Sequence, residues 1–108
     1  MLGQLFGAQS SRRRAFEELV RHVAEVSVER VCQMVGSSTL GMGPSEARGY
    51  IRGRAGREIR RQARLAVWRH SEADASWEND VAVRAADRVA PLVMRQLAFR
   101  AARARQAA

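Results

Sequence analysis

The feature that most constrains the fold of this chain is the helical spacing of apolar residues in three long segments. Two polar breaks separate these segments, GSSTLGMG at residues 36–43 and HSEADAS at residues 70–76. Within each segment apolar side chains recur every three or four residues, the spacing of one face of an α-helix. Pro occurs only twice in 108 residues. We therefore expect an all-α fold, a bundle of three long helices.

Capping residues set the expected helix boundaries. Gly36 is suited to end the first helix, Pro44 to open the second and Ser76 to cap the third. These signals place the helices at about residues 11–35, 44–70 and 77–104. Pro91 falls on the polar side of the third helix and predicts a bend rather than a break.

One domain is expected for a chain of this length. The helical domain should cover residues 11–105, preceded by an N-terminal tip at 1–10 and followed by a frayed tail at 106–108. The tip carries a small apolar group, Leu2, Leu5 and Phe6. We expect this group to fold back on the bundle, with contact to a membrane or another subunit as alternatives.

Each helix has a candidate core face. In the first helix it comprises Phe16, Leu19, Val20, Val23, Ser27, Val31 and Met34. In the second it comprises Ala47, Ile51, Ala55, Ile59, Leu65 and Ala66. In the third it comprises Val81, Ala82, Ala85, Ala86, Val89, Leu92, Val93 and Leu97. Long thin helices with these faces predict a bundle that homodimerisation completes.

The positive charge is unevenly distributed. The net charge is +8, and all 19 basic residues are Arg. Residues 44–70 carry eight Arg and two Glu, a net charge of +6, whereas residues 1–43 and 71–108 carry +1 each. The lack of Lys has two interpretations, codon bias in a GC-rich genome and selection of Arg for a planar fork that grips phosphate or carboxylate, and by itself it decides nothing. A local excess of this kind is typical of a protein that binds a polyanion.

Most of that excess lies on one side of the predicted second helix. Alternating steps of four and three residues give a stripe of four arginines between two aromatic residues, with Arg60 at its border. We call this set the arginine stripe: Tyr50, Arg54, Arg57, Arg60, Arg61, Arg64 and Trp68. Guanidinium groups one turn apart can neutralise successive phosphates, and aromatic rings can stack on bases. Four phosphate contacts on duplex DNA would give a salt slope of about −3.6.

Two other interpretations of the arginine stripe remain open. The stripe can dock on an acidic surface, for example on helix-one glutamates of a second copy: Glu17, Glu18, Glu25 and Glu29. Alternatively it is only a solvated helix face, with Arg stacking on its own aromatic neighbours and Trp68 turned inward onto Trp77. No zinc-finger, basic-zipper or RNP-type motif accompanies the stripe.

Weaker signals suggest two further contacts on the second helix. Gly49, Gly53 and Gly56 share a side with Ala63 and Val67, and this smooth strip is a candidate oligomer interface. The glycine-rich loop before Pro44, with the start of the helix, can hold an anion, and Arg48 and Arg52 are the candidate ligands. The loop lacks the Lys-Ser/Thr pair of a P-loop.

Other residues do not indicate chemistry. Cys32 is the only cysteine and predicts a buried thiol, while His70 and Asp74 straddle a helix end with His22 far away in sequence. We therefore expect no metal, no cofactor and no enzymatic activity. A single Cys, no secretory leader and no membrane-spanning run predict a cytoplasmic protein.

Together these patterns predict a small basic helical protein whose arginine stripe contacts the phosphate backbone of DNA or RNA with low sequence specificity. Another polyanion would meet the same requirements. The alternative is a structural or adaptor subunit, in which the stripe docks on an acidic protein partner.

Overall fold

The chain folds into three α-helices joined by two short connections. The computed structural model describes the backbone of residues 2–107 and the side chains of residue 7 and residues 9–107. The helices are α1 (Leu2–Val35), α2 (Pro44–Arg69) and α3 (Trp77–Ala107). Each helix packs against both others. The all-α expectation is confirmed, and the boundaries of α2 and the start of α3 lie within one residue of those expected.

The outer ends of α1 and α3 extend further than expected. α1 begins at Leu2 rather than near residue 11, and α3 continues through Pro91 to Ala107. Helix propagation adds one hydrogen bond for each residue fixed, and residues 2–10 contain no Pro that would stop it. The last residues of α3 are mostly Ala, Arg and Gln, which favour helix. The side chains of the apolar tip, Leu2, Leu5 and Phe6, lie outside the described residues.

The bundle has an up-down-up topology. Ion pairs join Glu17 to Arg84 at 3.1 Å and Glu29 to Arg100 at 2.8 Å, so α1 and α3 run in the same direction. α2 runs in the opposite direction and packs against both of them. The molecule is a rod of 64 × 24 × 23 Å.

The core is built from residues at four-residue spacing in all three helices. In α1 the row is Ala15, Leu19, Val23, Ser27, Val31 and Val35. In α2 it is Ala47, Ile51, Ala55, Ile59, Ala63 and Val67. In α3 it is Val81, Ala85, Val89 and Val93. Small and larger residues alternate along α2, which lets side chains of neighbouring helices interdigitate.

Most of the predicted core is confirmed. In α1 and α3 a few of the predicted residues are only half-buried, namely Phe16, Met34, Ala86, Leu92 and Leu97. Further differences occur in α2. Leu65 and Ala66 are only half-buried, whereas Ala63 and Val67, expected on the opposite side, are buried. An α-helix turns about 100° per residue, so each four-residue step moves the core row of α2 by about 40°. The buried side of α2 therefore rotates by about 200° between Ala47 and Val67.

Turn residues close the helix ends. Gly36 has a positive φ of 54°, and its N–H donates to the Cys32 carbonyl at 2.9 Å, which ends α1 as predicted. Before α3, the Ser76 amide donates to Asp74 Oδ1 at 2.9 Å. This contact lowers the pKa of the Asp74 carboxyl. Asp74 thus stabilises the turn before α3 by accepting from the Ser76 amide. The sequence instead predicted that the Ser76 side chain caps the helix.

Cys32 and Ser27 are buried within the apolar core. Cys32 is 1% exposed, and burial raises the pKa of its thiol. Ser27 is fully buried, and its Oγ has no hydrogen-bond partner among the described residues. A buried hydroxyl without a partner costs free energy relative to an apolar group of similar shape.

We predict that Ser27→Ala raises the free energy of unfolding by about 1–2 kcal/mol, because it removes this unpaired hydroxyl. Urea denaturation followed by circular dichroism measures the change. The matched control is Ser10→Ala, an exposed position of the same helix, where only helix propensity changes, by about 0.5 kcal/mol or less. A loss of stability in Ser27→Ala would show that the hydroxyl is hydrogen-bonded in the folded chain.

Candidate nucleic-acid interface on α2

The arginine stripe runs straight along α2 while the buried side of the helix rotates beneath it. Tyr50 and Trp68 are 18 residues apart, which is five full turns, so the stripe is parallel to the helix axis. Arg52 pairs with Asp87 of α3 at 2.9 Å, and Arg64 pairs with Glu78 of α3 at 3.1 Å. Early in α2 the stripe therefore lies on the side away from α3, and by Arg64 it borders α3.

Three arginines of the stripe have no carboxylate partner within the described part of the chain. Arg54, Arg57 and Arg60 are exposed and form no ion pair within the described part of the chain. We call these three residues the unpaired arginines. Each three-residue step advances about 4.5 Å along the axis and turns about 60° around it. The unpaired arginines therefore fan across about 120° of the outer surface of α2.

The other two arginines of the stripe are held by glutamates. Arg61 donates through Nε to Glu58 Oε2 at 3.2 Å and through Nη2 to Glu58 Oε1 at 2.8 Å. Gln62 Nε2 also donates to Glu58 Oε1, at 3.1 Å. The side chain of Glu58 is 11% exposed. The hydrogen bond from Arg61 lowers the pKa of Glu58, which favours the ionised carboxylate that accepts from the Arg61 fork.

The two aromatic ends of the arginine stripe differ in accessibility. Tyr50 is half-buried and packs against the core. Trp68 is 84% exposed. It does not turn inward onto Trp77, whose ring makes an edge contact with Phe16 at a centroid distance of 5.6 Å. Of the two predicted stacking residues, Trp68 alone presents most of its surface to a ligand.

The two candidate anion ligands at the start of α2 have different surroundings. Arg52 pairs with Asp87 of α3 at 2.9 Å, so an anion bound by the preceding loop would have to compete with this carboxylate for Arg52. Arg48 is exposed and forms no ion pair with any described side chain. Gly43 occupies the cap position of α2, and no side chain caps the helix. Arg48 thus adds a further unpaired charge at the beginning of the helix.

The glycine strip is divided between solvent and core. Gly49 and Gly53 are exposed, and a methyl group added at either would meet nothing within 4 Å. Gly56 is half-buried, whereas Ala63 and Val67 are buried in the core of this chain. The rotation of the core row explains the division. Only the glycine half of the predicted oligomer interface is accessible.

The structure brings together residues that the sequence did not connect. His22 of α1 and His70 after α2 line one groove of about 360 Å³, together with Arg21 and Arg69. Leu65 contributes to its apolar lining. Because the groove depends on the register between α1 and α2, helical spacing within one segment gives no signal for it. His70 and Asp74 form no hydrogen bond with each other among the described residues; Nδ1 of His70 accepts from the Glu72 amide at 3.2 Å.

Comparison of the chain with protein families, with curated proteins and with solved structures finds no match. Within residues 2–107, none of the helices has the length and apolarity needed to cross a membrane. No group of three or more His, Cys, Asp or Glu in the described part of the chain is placed to hold a metal ion. The indications of function come from the charge and geometry of α2.

We predict that Glu58→Gln makes stability less sensitive to acid. Glu58 has its pKa lowered from the ordinary value of 4.5, mainly by the hydrogen bond from Arg61. A lowered folded-state pKa contributes stability that is complete above pH 4.5 and is lost as the pH falls through the folded-state value. Urea midpoints measured from neutral pH to below pH 4.5 should therefore decline less in Glu58→Gln than in the unmodified chain.

The control for this prediction is Glu25→Gln, which changes an exposed glutamate of α1 with no ion pair among the described side chains. It should leave the acid sensitivity close to that of the unmodified chain. Equal declines in all three proteins would show that Arg61 does not hold the Glu58 carboxylate in solution.

We also predict that Gly53→Ala raises the free energy of unfolding by about 0.5–1 kcal/mol, because Ala restricts the unfolded chain and meets no atom in the folded one. Gly41→Ala is the contrasting variant. It should destabilise the chain because Gly41 has a positive φ of 85°. Thermal unfolding by circular dichroism measures both. A large loss in Gly53→Ala would mean that the glycine side of α2 is closely packed in solution.

Proposed function

We propose that this chain binds nucleic acid through its phosphate backbone, with little sequence preference, using the outer surface of α2. The observation that carries the proposal is the set of unpaired arginines, Arg54, Arg57 and Arg60, on a segment of net charge +6. Phosphates neutralise such charges and release condensed counterions, which is the main source of sequence-independent affinity.

The geometry of the unpaired arginines suits a phosphate backbone. Their guanidinium groups lie on successive turns and fan around the helix, so neighbouring phosphates of one strand can be contacted together. Each guanidinium offers a planar fork that can donate two hydrogen bonds to one phosphate. Contacts of this kind position a protein on the backbone but do not read bases. This is the reason for proposing low sequence specificity.

The paired arginines can add to this surface. The Arg61–Glu58 and Arg64–Glu78 pairs leave the Arg61 side chain 61% exposed and the Arg64 side chain 75% exposed. An exposed ion pair such as Arg64–Glu78 stabilises a protein by about 0–1 kcal/mol, so a phosphate can compete for Arg64 at little cost. Arg61 is released less readily, because the Glu58 side chain that it pairs with is only 11% exposed. The surface proposed to contact nucleic acid therefore comprises three to five arginines.

An adaptor function, with the arginine stripe docked on an acidic protein surface, is the alternative. Within the chain, Glu17 and Glu29 of α1 already pair with Arg84 and Arg100 of α3. Only two of the four helix-one glutamates considered as targets, Glu18 and Glu25, have no ion pair among the described side chains. The internal pairing therefore counts against docking on α1 of a second copy, and an external acidic protein stays the alternative to nucleic acid. Homodimerisation and a cytoplasmic location stay predictions from the sequence.

We predict that duplex DNA binding weakens with salt at a slope of log K against log [salt] between about −2.7 and −4.5, for three to five phosphates. Fluorescence anisotropy of labelled duplex DNA across a salt series measures this slope. The variant Arg54→Gln/Arg57→Gln/Arg60→Gln should make the slope shallower by about 2.7 and reduce the affinity at every salt concentration. Gln retains helix propensity, so α2 should persist.

The matched control is Arg88→Gln/Arg95→Gln/Arg105→Gln. It removes the same charge from exposed positions of α3, where no ion pair of these arginines occurs among the described residues. The control should retain most of the affinity and slope. Equal weakening by both variants would mean that net charge alone attracts DNA. No binding by the unmodified chain at low salt would contradict the proposed function.

A further inference from the structure

Trp68 is the most exposed large hydrophobic side chain in the part of the chain that the structure describes. It is 84% exposed, compared with 75% for Leu40, 58% for Phe99 and 49% for Val83. Trp has the largest apolar surface of any side chain, and exposed Trp residues are concentrated where a partner covers them. Trp68 lies at the C-terminal end of α2, directly after the arginines of the stripe.

The surroundings of Trp68 form a shallow site rather than a flat surface. Trp68 borders a hollow of about 210 Å³ between the end of α2 and the start of α3. Apolar side chains form part of its wall: Val67, Ala73 and Ala75. Polar groups complete it: Arg64, His70 and Glu78. A ligand with a flat apolar ring and polar groups at its edge would contact both the apolar and the polar side chains of this hollow.

A cationic group stands next to this hollow. Arg64 Nε donates to Glu78 Oε1 at 3.1 Å, and the two side chains are 75% and 38% exposed. An exposed pair of this kind is easily exchanged for a phosphate oxygen. Arg64 also lies one helical turn before Trp68, so an aromatic surface and a phosphate ligand are adjacent on the same side of α2.

We propose that Trp68 stacks on an unpaired base of single-stranded nucleic acid while Arg64 binds a neighbouring phosphate. This inference rests on the proposed function and deepens it by naming the strand state of the partner. In a duplex the bases are stacked on one another, so their faces are not available to a side chain outside the helix. A single strand offers both a free base face and a phosphate, and every base has such a face.

The exposure of each aromatic side chain decides which of them can stack on a base. Tyr50, at the other end of the arginine stripe, is half-buried against the core. Trp77 is also half-buried, between Phe16 and the guanidinium of Arg12, whose centre lies 5.7 Å from the ring centroid. Trp68 is therefore the aromatic side chain of α2 that a base can cover. Single strands should contact the C-terminal half of the stripe more closely than duplexes do.

The test uses Trp68 as its own fluorescent probe. The variant Trp77→Phe leaves Trp68 as the single tryptophan and keeps an aromatic ring against Phe16. It is titrated at one salt concentration with unlabelled oligo-dT and with a duplex of the same length. We expect oligo-dT to quench the Trp68 emission and the duplex to bind without quenching it.

The affinity of each ligand is then measured for the Trp68→Ala variant by anisotropy. Loss of a stacked base should weaken oligo-dT binding about 5- to 150-fold and should leave duplex binding within about twofold. Trp68→Phe should retain most of the oligo-dT affinity because it keeps an aromatic face. The control Leu40→Ala removes another exposed apolar side chain and should change neither affinity. Circular dichroism confirms that each variant is folded.

Three results would overturn the inference, and they are distinguishable. If both ligands bind but Trp68 emission is unchanged, or Trp68→Ala weakens both equally, base stacking is wrong and the proposed function stands. If neither ligand binds, the proposed function itself fails. If Trp68 emission shifts to the blue with protein concentration alone, and sedimentation shows self-association that Trp68→Ala abolishes, a second copy of the chain covers Trp68.

Discussion

The four-residue spacing of the core is the constraint on which the other features of this bundle depend. A row of buried residues at this spacing turns by about 40° per step around a helix, so the three helices contact one another along lines that wind around α2. Ala63 and Val67 are buried at one end of α2, while Gly49 and Gly53 are exposed at the other. The same rotation decides which arginines reach carboxylates of α3 and which face outward.

The charge distribution follows from that geometry. Arg52 and Arg64 each pair with a carboxylate of α3, whereas Arg57 is exposed and forms no ion pair among the described residues. The carboxylates of Glu78 and Asp87 thus form ion pairs between α3 and α2. The arginines in excess of the carboxylates remain on the outer surface of α2. A surface of this kind loses little in binding a polyanion, because few internal contacts have to be broken first.

The sequence predicts the helices and most of the core, because helical periodicity and the Gly36 and Pro44 signals are local. It also places Arg57 and Trp68 on an exposed side. It cannot predict that Arg64 meets Glu78, or that His22 and His70 line one groove, because these contacts depend on the register between helices. A fixed helical wheel also misplaces Ala63 and Val67, since it keeps the core on one side of α2. The early start of α1 is missed because residues 2–10 lack a strong capping signal.

We propose that the unpaired arginines of α2 are the surface that meets nucleic acid. Side-chain Nε–Hε resonances of arginine in ¹H–¹⁵N spectra of the labelled chain, titrated with oligo-dT at low salt, test it most directly. We predict that the resonances of Arg54, Arg57 and Arg60 shift, while those of Arg84 and Arg100, which pair with α1 at 3.1 and 2.8 Å, stay unchanged. Shifts of similar size at all five arginines would contradict this proposal. So would the absence of any shift at Arg54, Arg57 and Arg60.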